Sequence, residues 1–148
     1  MPNDNIQEDE SAPEDLREQI RSLSCQIADI KDLLLTLCTS VQFREDRPYT
    51  AMLAEYMIYG EQRRNLATVI DAILFRAEGR RMPQGLKKFA EQSGNPSLID
   101  ACQDAPIDQD EAIRLVQGIV GGQRTAIDIL KAHAQAGYGT EGHQKLGI

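Results

Sequence analysis

The sequence predicts an all-α protein, an elongated helical bundle with an N-terminal coiled-coil helix. Three observations carry that prediction. Leu16, Ile20, Leu23, Ile27, Ile30, Leu34, Leu37 and Val41 recur in an unbroken 4-3 rhythm, which is the 3.5-residue repeat of a helix whose apolar seam faces another helix. Farther along, Met52, Tyr56, Tyr59, Leu66, Ile70, Ile73 and Ala77 form one helical stripe, and Ile113, Val116, Val120, Ile127, Leu130 and Ala134 form a second. No segment shows the sustained alternation of a half-buried strand.

The first helix is expected over residues 13–44. Ser11 is a candidate cap, Pro13 suits the first turn, and Glu14 and Asp15 complement the positive end of the helix dipole. Pro48 should end it, because the residue before a proline is pushed out of helical geometry. A second helix follows to about residue 78, with Thr50 a candidate cap and Gly79 a stop. Gly60 lies inside it and marks close packing or a bend. Two short helices are expected over 86–92 and 96–104. They are separated by Gly94-Asn95-Pro96, where Asn95 caps and Pro96 opens the second. The last long helix starts at the Asp108–Glu111 run and reaches residue 136. The first, second and last helices come out at roughly 28–31 residues, or about 42–47 Å, and their matched lengths favour side-by-side packing.

This gives four regions: a disordered acidic tail over 1–12, the coiled-coil helix over 13–45, a helical domain over 46–136 and a flexible C-terminal tail over 137–148. The first tail is argued from charge. Asp4, Glu8, Asp9, Glu10, Glu14 and Asp15 face no Lys or Arg among the first fifteen residues, and so few apolar groups cannot offset chain entropy. The second is argued from Gly137, Gly139, Gly142 and Gly147.

In the seam, Ile20, Ile27, Leu34 and Val41 take the a positions and Leu16, Leu23, Ile30 and Leu37 the d positions. Mostly β-branched a with mostly Leu d favours a parallel dimer when the partner is a second copy. An intramolecular seam is the competing arrangement. A mixed one fits the pattern best: the narrow stripe over 16–30 meets another subunit, while Leu33 and Leu35 widen the stripe over 33–41 to meet the domain.

Charge is zoned. Residues 63–88 hold Arg63, Arg64, Arg76, Arg80, Arg81, Lys87 and Lys88 against Asp71 and Glu78, while residues 89–112 hold six acids and no base. Solvated surface accounts for such zones, and so does a protein-docking face, for which Arg76, Arg80, Arg81, Lys87 and Lys88 are the candidate residues. A nucleic-acid role for the region 63–88 is the alternative. The stretch 86–98 loosely has helix-turn-helix spacing, but its would-be reading helix carries Asp100 and Asp104 and no base, which phosphate would repel. Arg63 and Gln123 each interrupt an apolar stripe. They either share a buried polar layer near Asp71 or Asp128, or turn to the surface.

Cys25, Cys38 and Cys102 are an odd number of thiols without a CxxC pair, which points to reduced cysteines in the cytoplasm and to no metal site. The acidic N-terminus and the lack of an apolar run near 18 residues argue against a signal peptide and a membrane span. No phosphate loop, nucleophile elbow or Glu-x-x-His pair is present. His133 suits the end of its helix dipole, and His143 lies in the Gly-rich tail. No cofactor and no enzymatic activity are therefore expected. The reading is a small cytosolic protein-binding subunit or adaptor, a homo-oligomer and most simply a dimer, that docks on a protein partner and on no membrane.

Overall fold

The computed structural model describes residues 12–42 and 45–148. Among them there are eight α-helices and no strand. Residues 1–11 of the expected tail over 1–12 and the expected first-helix end at 43–44 lie outside the described residues, and Ala12 already belongs to the first helix.

Helix α1 (Ala12–Gln42) is the long N-terminal helix. Helix α2 (Pro48–Glu55) starts with Pro48 itself in its first turn, where the missing N–H costs nothing, so Thr50, the expected cap, lies inside the helix. The second expected rod then breaks. Tyr56 ends α2, Met57 takes a left-handed φ of 54°, and helix α3 (Gly60–Ala77) begins at once. The break is a Schellman closure. Ile58 N–H donates to Leu53 O at 2.8 Å and Met57 N–H to Ala54 O at 3.1 Å, and the buried Ile58 and Leu53 supply the apolar contact that accompanies it. The usual glycine signal is absent because a methionine occupies the left-handed position. The last expected rod also breaks. Gly121, at φ 86°, ends helix α6 (Gln109–Val120), and helix α7 (Gln123–Gln135) folds back against it.

Between these pairs lie helix α4 (Gln84–Ser93) and helix α5 (Pro96–Ala101). Asn95 caps α5 as expected, its side chain accepting from Ser97 N–H at 3.0 Å and Leu98 N–H at 3.4 Å. Asp108 caps α6 by accepting from Glu111 N–H at 2.8 Å. The core is built around α3, whose Leu66, Val69, Ile70 and Ile73 meet Leu98, Leu115, Val116, Ile129 and Leu130 in one buried cluster.

Residues 137–148 are not the loose segment expected. They carry helix α8 (Thr140–Leu146), with His143 and Leu146 buried. The glycines there serve contact. A Cβ on Gly142 would lie 2.7 Å from Leu74 Cδ2, so the absence of a side chain lets α8 seat against α3.

Gly60 does the same for α1. It has φ +58°, and a Cβ there would lie 2.6 Å from Asp29 Oδ1. Gly60→Ala should therefore cost about 1–3 kcal/mol from the left-handed backbone alone, with the clash added. Urea unfolding reads the sum. The Asp29→Ala background should return the clash part and leave the backbone part. A neutral Gly60→Ala variant would contradict this packing.

Candidate protein interface

Between residues 14 and 28 every side chain of α1 is exposed. The helix touches the rest of the chain from Asp29 onward, through α2 and α3. The contact uses one face. Asp29, Leu33 and Leu37 are half-buried, and Thr36 is 2% exposed. Its polar anchor is Asp32. One carboxylate oxygen accepts from Arg63 Nη1 at 2.7 Å, and the other accepts the Gly60 amide at 3.1 Å. The same guanidinium donates to Thr36 Oγ1 at 2.9 Å, while that hydroxyl donates to Asp32 O at 2.9 Å. Arg63 thus belongs to a polar layer between helices, but its partners are on α1. Gln123, the other candidate for such a layer, is exposed.

The seam faces elsewhere. Leu16, Ile20, Leu23, Ile27, Ile30 and Leu34 are 52–61% exposed, and Val41 is 83% exposed. In heptad terms the body docks on c, f and g, roughly 140° around the helix from the middle of the a/d seam at 100° per residue. Of the stripe over 33–41 that was expected to meet the domain, only part does so. Leu33, Thr36 and Leu37 turn inward, whereas Leu34, Leu35 and Val41 remain exposed. The reason is Asp32: its bonds to Gly60 and Arg63 rotate α1 so that the c/f edge, not the apolar seam, faces the body.

The candidate docking residues of the basic region fare differently. Arg76 is not a surface residue, which corrects the expectation for it. It is 7% exposed and its guanidinium is spent inside. Nε donates to Ala105 O at 2.7 Å, Nη1 to Asp100 O at 3.3 Å, and Nη2 to Pro106 O at 3.0 Å and Glu111 Oε1 at 2.9 Å. A single side chain therefore holds the loop between α5 and α6. Arg80 lies over the Phe75 ring at 4.2 Å and pairs with Glu78 at 3.0 Å. Lys87 pairs with Asp104, which holds that carboxyl below the usual range. Arg81 and Lys88 are exposed. The basic and acidic zones thus meet each other within the chain. Between them lies an open pocket of about 690 Å³ lined by both signs of charge, including Arg80, Arg81, Glu78 and Asp104.

The two histidines form a site that linear reading missed. His133 Nδ1 and His143 Nε2 are 2.8 Å apart and buried, so one nitrogen donates and the other accepts. The Tyr49 ring meets His133 edge-on at a centroid distance of 4.8 Å. Burial, aided by the neighbouring imidazole, pushes His133 down to about 4, and burial lowers His143 as well. His133 is therefore a neutral core residue and not the dipole-complementing cation expected from its place near the helix end. An apolar spacing at 130, 133, 143 and 146 could have suggested the pair.

Among the described residues no group of three or more His, Cys, Asp or Glu is arranged to hold a metal ion, and no helix is long and apolar enough to cross a membrane. Comparison with protein-family models, with curated proteins and with solved structures gives no match for this chain.

Proposed function

We propose that this protein is a small self-associating binding subunit, joined to a second copy through the seam of α1 and presenting its helical body to a protein partner. One observation carries the proposal. The a/d seam is exposed from Leu16 to Leu34 while the body occupies a different face of the same helix. A large contiguous apolar stripe on a soluble surface marks an interaction site.

Magnitudes favour pairing along the whole stripe. Covering a side chain that is about half exposed contributes roughly 1 kcal/mol. Six such residues on each of two copies, Leu16 to Leu34, contribute on the order of 12 kcal/mol. Association costs about 4–15 kcal/mol, so few layers can be lost. A cytoplasmic setting is supported by the three free thiols. For the docking face, the outward charges left are Arg81 and Lys88, beside the paired Arg80 and Lys87. Four of the seven cations over 63–88, Arg63, Arg76, Arg80 and Lys87, are engaged within the chain, and Arg64, Arg81 and Lys88 are the exposed remainder, which supports a protein partner over nucleic acid, since phosphate binding requires uncommitted cations.

Light scattering tests the reading. The wild type should have the mass of two chains. Ile20→Asp/Ile27→Asp should have the mass of one, because both copies would then bury unpaired carboxylates. The melting of the body should hardly change, since neither residue touches it. A wild-type mass of one chain would overturn the proposal.

A further inference from the structure

We infer that the second copy lies parallel and in register with the first over the six seam layers from Leu16 to Leu34, with the two bodies on the outer sides of the paired helices. The inference rests on the self-association proposed above and adds its orientation.

The limits of the seam come from the structure. Leu37 is half-buried against the body, so the a/d stripe free along its length runs from Leu16 to Leu34. That fixes which registers use every layer. In a parallel pair each residue meets its own counterpart. In an antiparallel pair that keeps all six layers, Leu16 must meet Leu34, Ile20 must meet Ile30 and Leu23 must meet Ile27.

The flanking e and g positions then decide between the two. In the antiparallel register, e meets e, which brings Arg17 against Lys31 of the other copy, and by symmetry this happens twice. Like charges across a seam are repulsive, and no acid at e or g relieves them. In the parallel register, g meets the following e. Gln19 then faces Ser24 and Gln26 faces Lys31, with no like-charge contact. The seam itself agrees. In four of its six layers, Ile20 and Ile27 at a with Leu16 and Leu23 at d, it has the pattern suited to a parallel two-stranded coil, while Ile30 at d and Leu34 at a do not.

The body is compatible with this arrangement. It sits on the c, f and g face of residues 29–37. A two-fold axis along the coil places the two bodies on opposite sides, away from each other. The exposed charges Glu18 and Arg21, at f and b, stay in water.

Disulfide trapping tests the orientation. The background is Cys25→Ser/Cys38→Ser, which leaves Cys102 buried. Ile20→Cys and Ile30→Cys are made singly and oxidised with diamide. Each should form a disulfide-linked dimer by itself, because each cysteine would face its own copy. Each should keep the wild-type mass by light scattering when reduced. If one dissociates when reduced, Leu16→Cys and Leu34→Cys replace the pair, with the same expectation.

The antiparallel arrangement gives a different result. There the residues at positions 20 of the two copies are ten residues apart, about 15 Å. Neither variant would then link alone, and only a mixture of the two would. That outcome, with a two-chain mass, overturns the parallel inference and leaves self-association standing. A mass of three or four chains overturns the two-stranded arrangement. A mass of one chain for the wild type removes the self-association on which both rest.

Discussion

Replacing Arg76 by Met should lower the stability of the chain by about 3–5 kcal/mol, the range for removing one partner from a buried charged network. The aliphatic stem is preserved, so the loss falls on polar contacts. The carbonyls of Asp100, Ala105 and Pro106 lose their donor together, and Glu111 loses its cation. For a domain of this size the midpoint of thermal unfolding should fall by roughly 6–20 °C. Glu111→Gln should cost much less, about 1 kcal/mol, because that side chain is 32% exposed and water can replace its bond. Urea unfolding of both variants, followed by circular dichroism, measures the difference. An Arg76→Met variant within 1 kcal/mol of the wild type would remove Arg76 as the clasp of the α5–α6 loop.

Acidification should weaken the protein above the pH at which carboxylates titrate. The direction follows from the histidine pair. His133 is lowered from 6.5 to about 4 in the folded chain, and His143 is lowered too. The unfolded chain therefore takes up protons that the folded chain refuses. Stability from the pair is complete above about pH 6.5 and is lost as the pH falls toward 4. The shift of His133 corresponds to a loss on the order of 1–3 kcal/mol. The diagnostic window is pH 6.5 to 5, where carboxylates contribute little. Stability measured by urea unfolding should slope downward there in the wild type and be nearly flat in His133→Gln/His143→Gln. Hydrogen exchange should show α8 opening first, since His143 lies on it. A flat wild-type profile through that window would be incompatible with a buried neutral pair.

What the sequence reveals and what it hides divide by the range of the physics involved. The seam of α1 is periodic within one helix, so Leu16 to Val41 can be read without knowing any neighbour. The caps at Asn95 and Asp108 are equally local. Breaks inside the longer stripes are harder. Val120 and Ile127 keep helical spacing across Gly121-Gly122, so one rod is expected there, although the double glycine is where the helix ends. At Met57 there was no such signal, because the closure depends on Ile58 reaching Leu53. The segment 137–148 reads as loose by composition, yet Gly142 is where Leu74 needs room. Arg76 is the hardest case. Its partners are mostly backbone carbonyls 24 to 30 positions away, and no side-chain pattern records a carbonyl. For the interface, the seam residues were legible, but the side of α1 that holds the body was not, since it depends on Asp32 finding both Arg63 and Gly60.

That anchor has a mechanical consequence. Asp32 grips the first turn of α3 by both a side chain and a backbone amide, and α3 is the helix around which the core is assembled. The exposed part of α1 ahead of it, residues 14–28, is a lever of roughly 22 Å. A sideways load on the tip of that lever is delivered as torque to the seat of residues 29–37, packed on α2 and bonded to Gly60 and Arg63 of α3. Whatever grasps the tip therefore sets the pose of the entire body and does not merely tether it, and substitutions that loosen that seat would turn a rigid arm into a loose leash without altering any residue that is grasped.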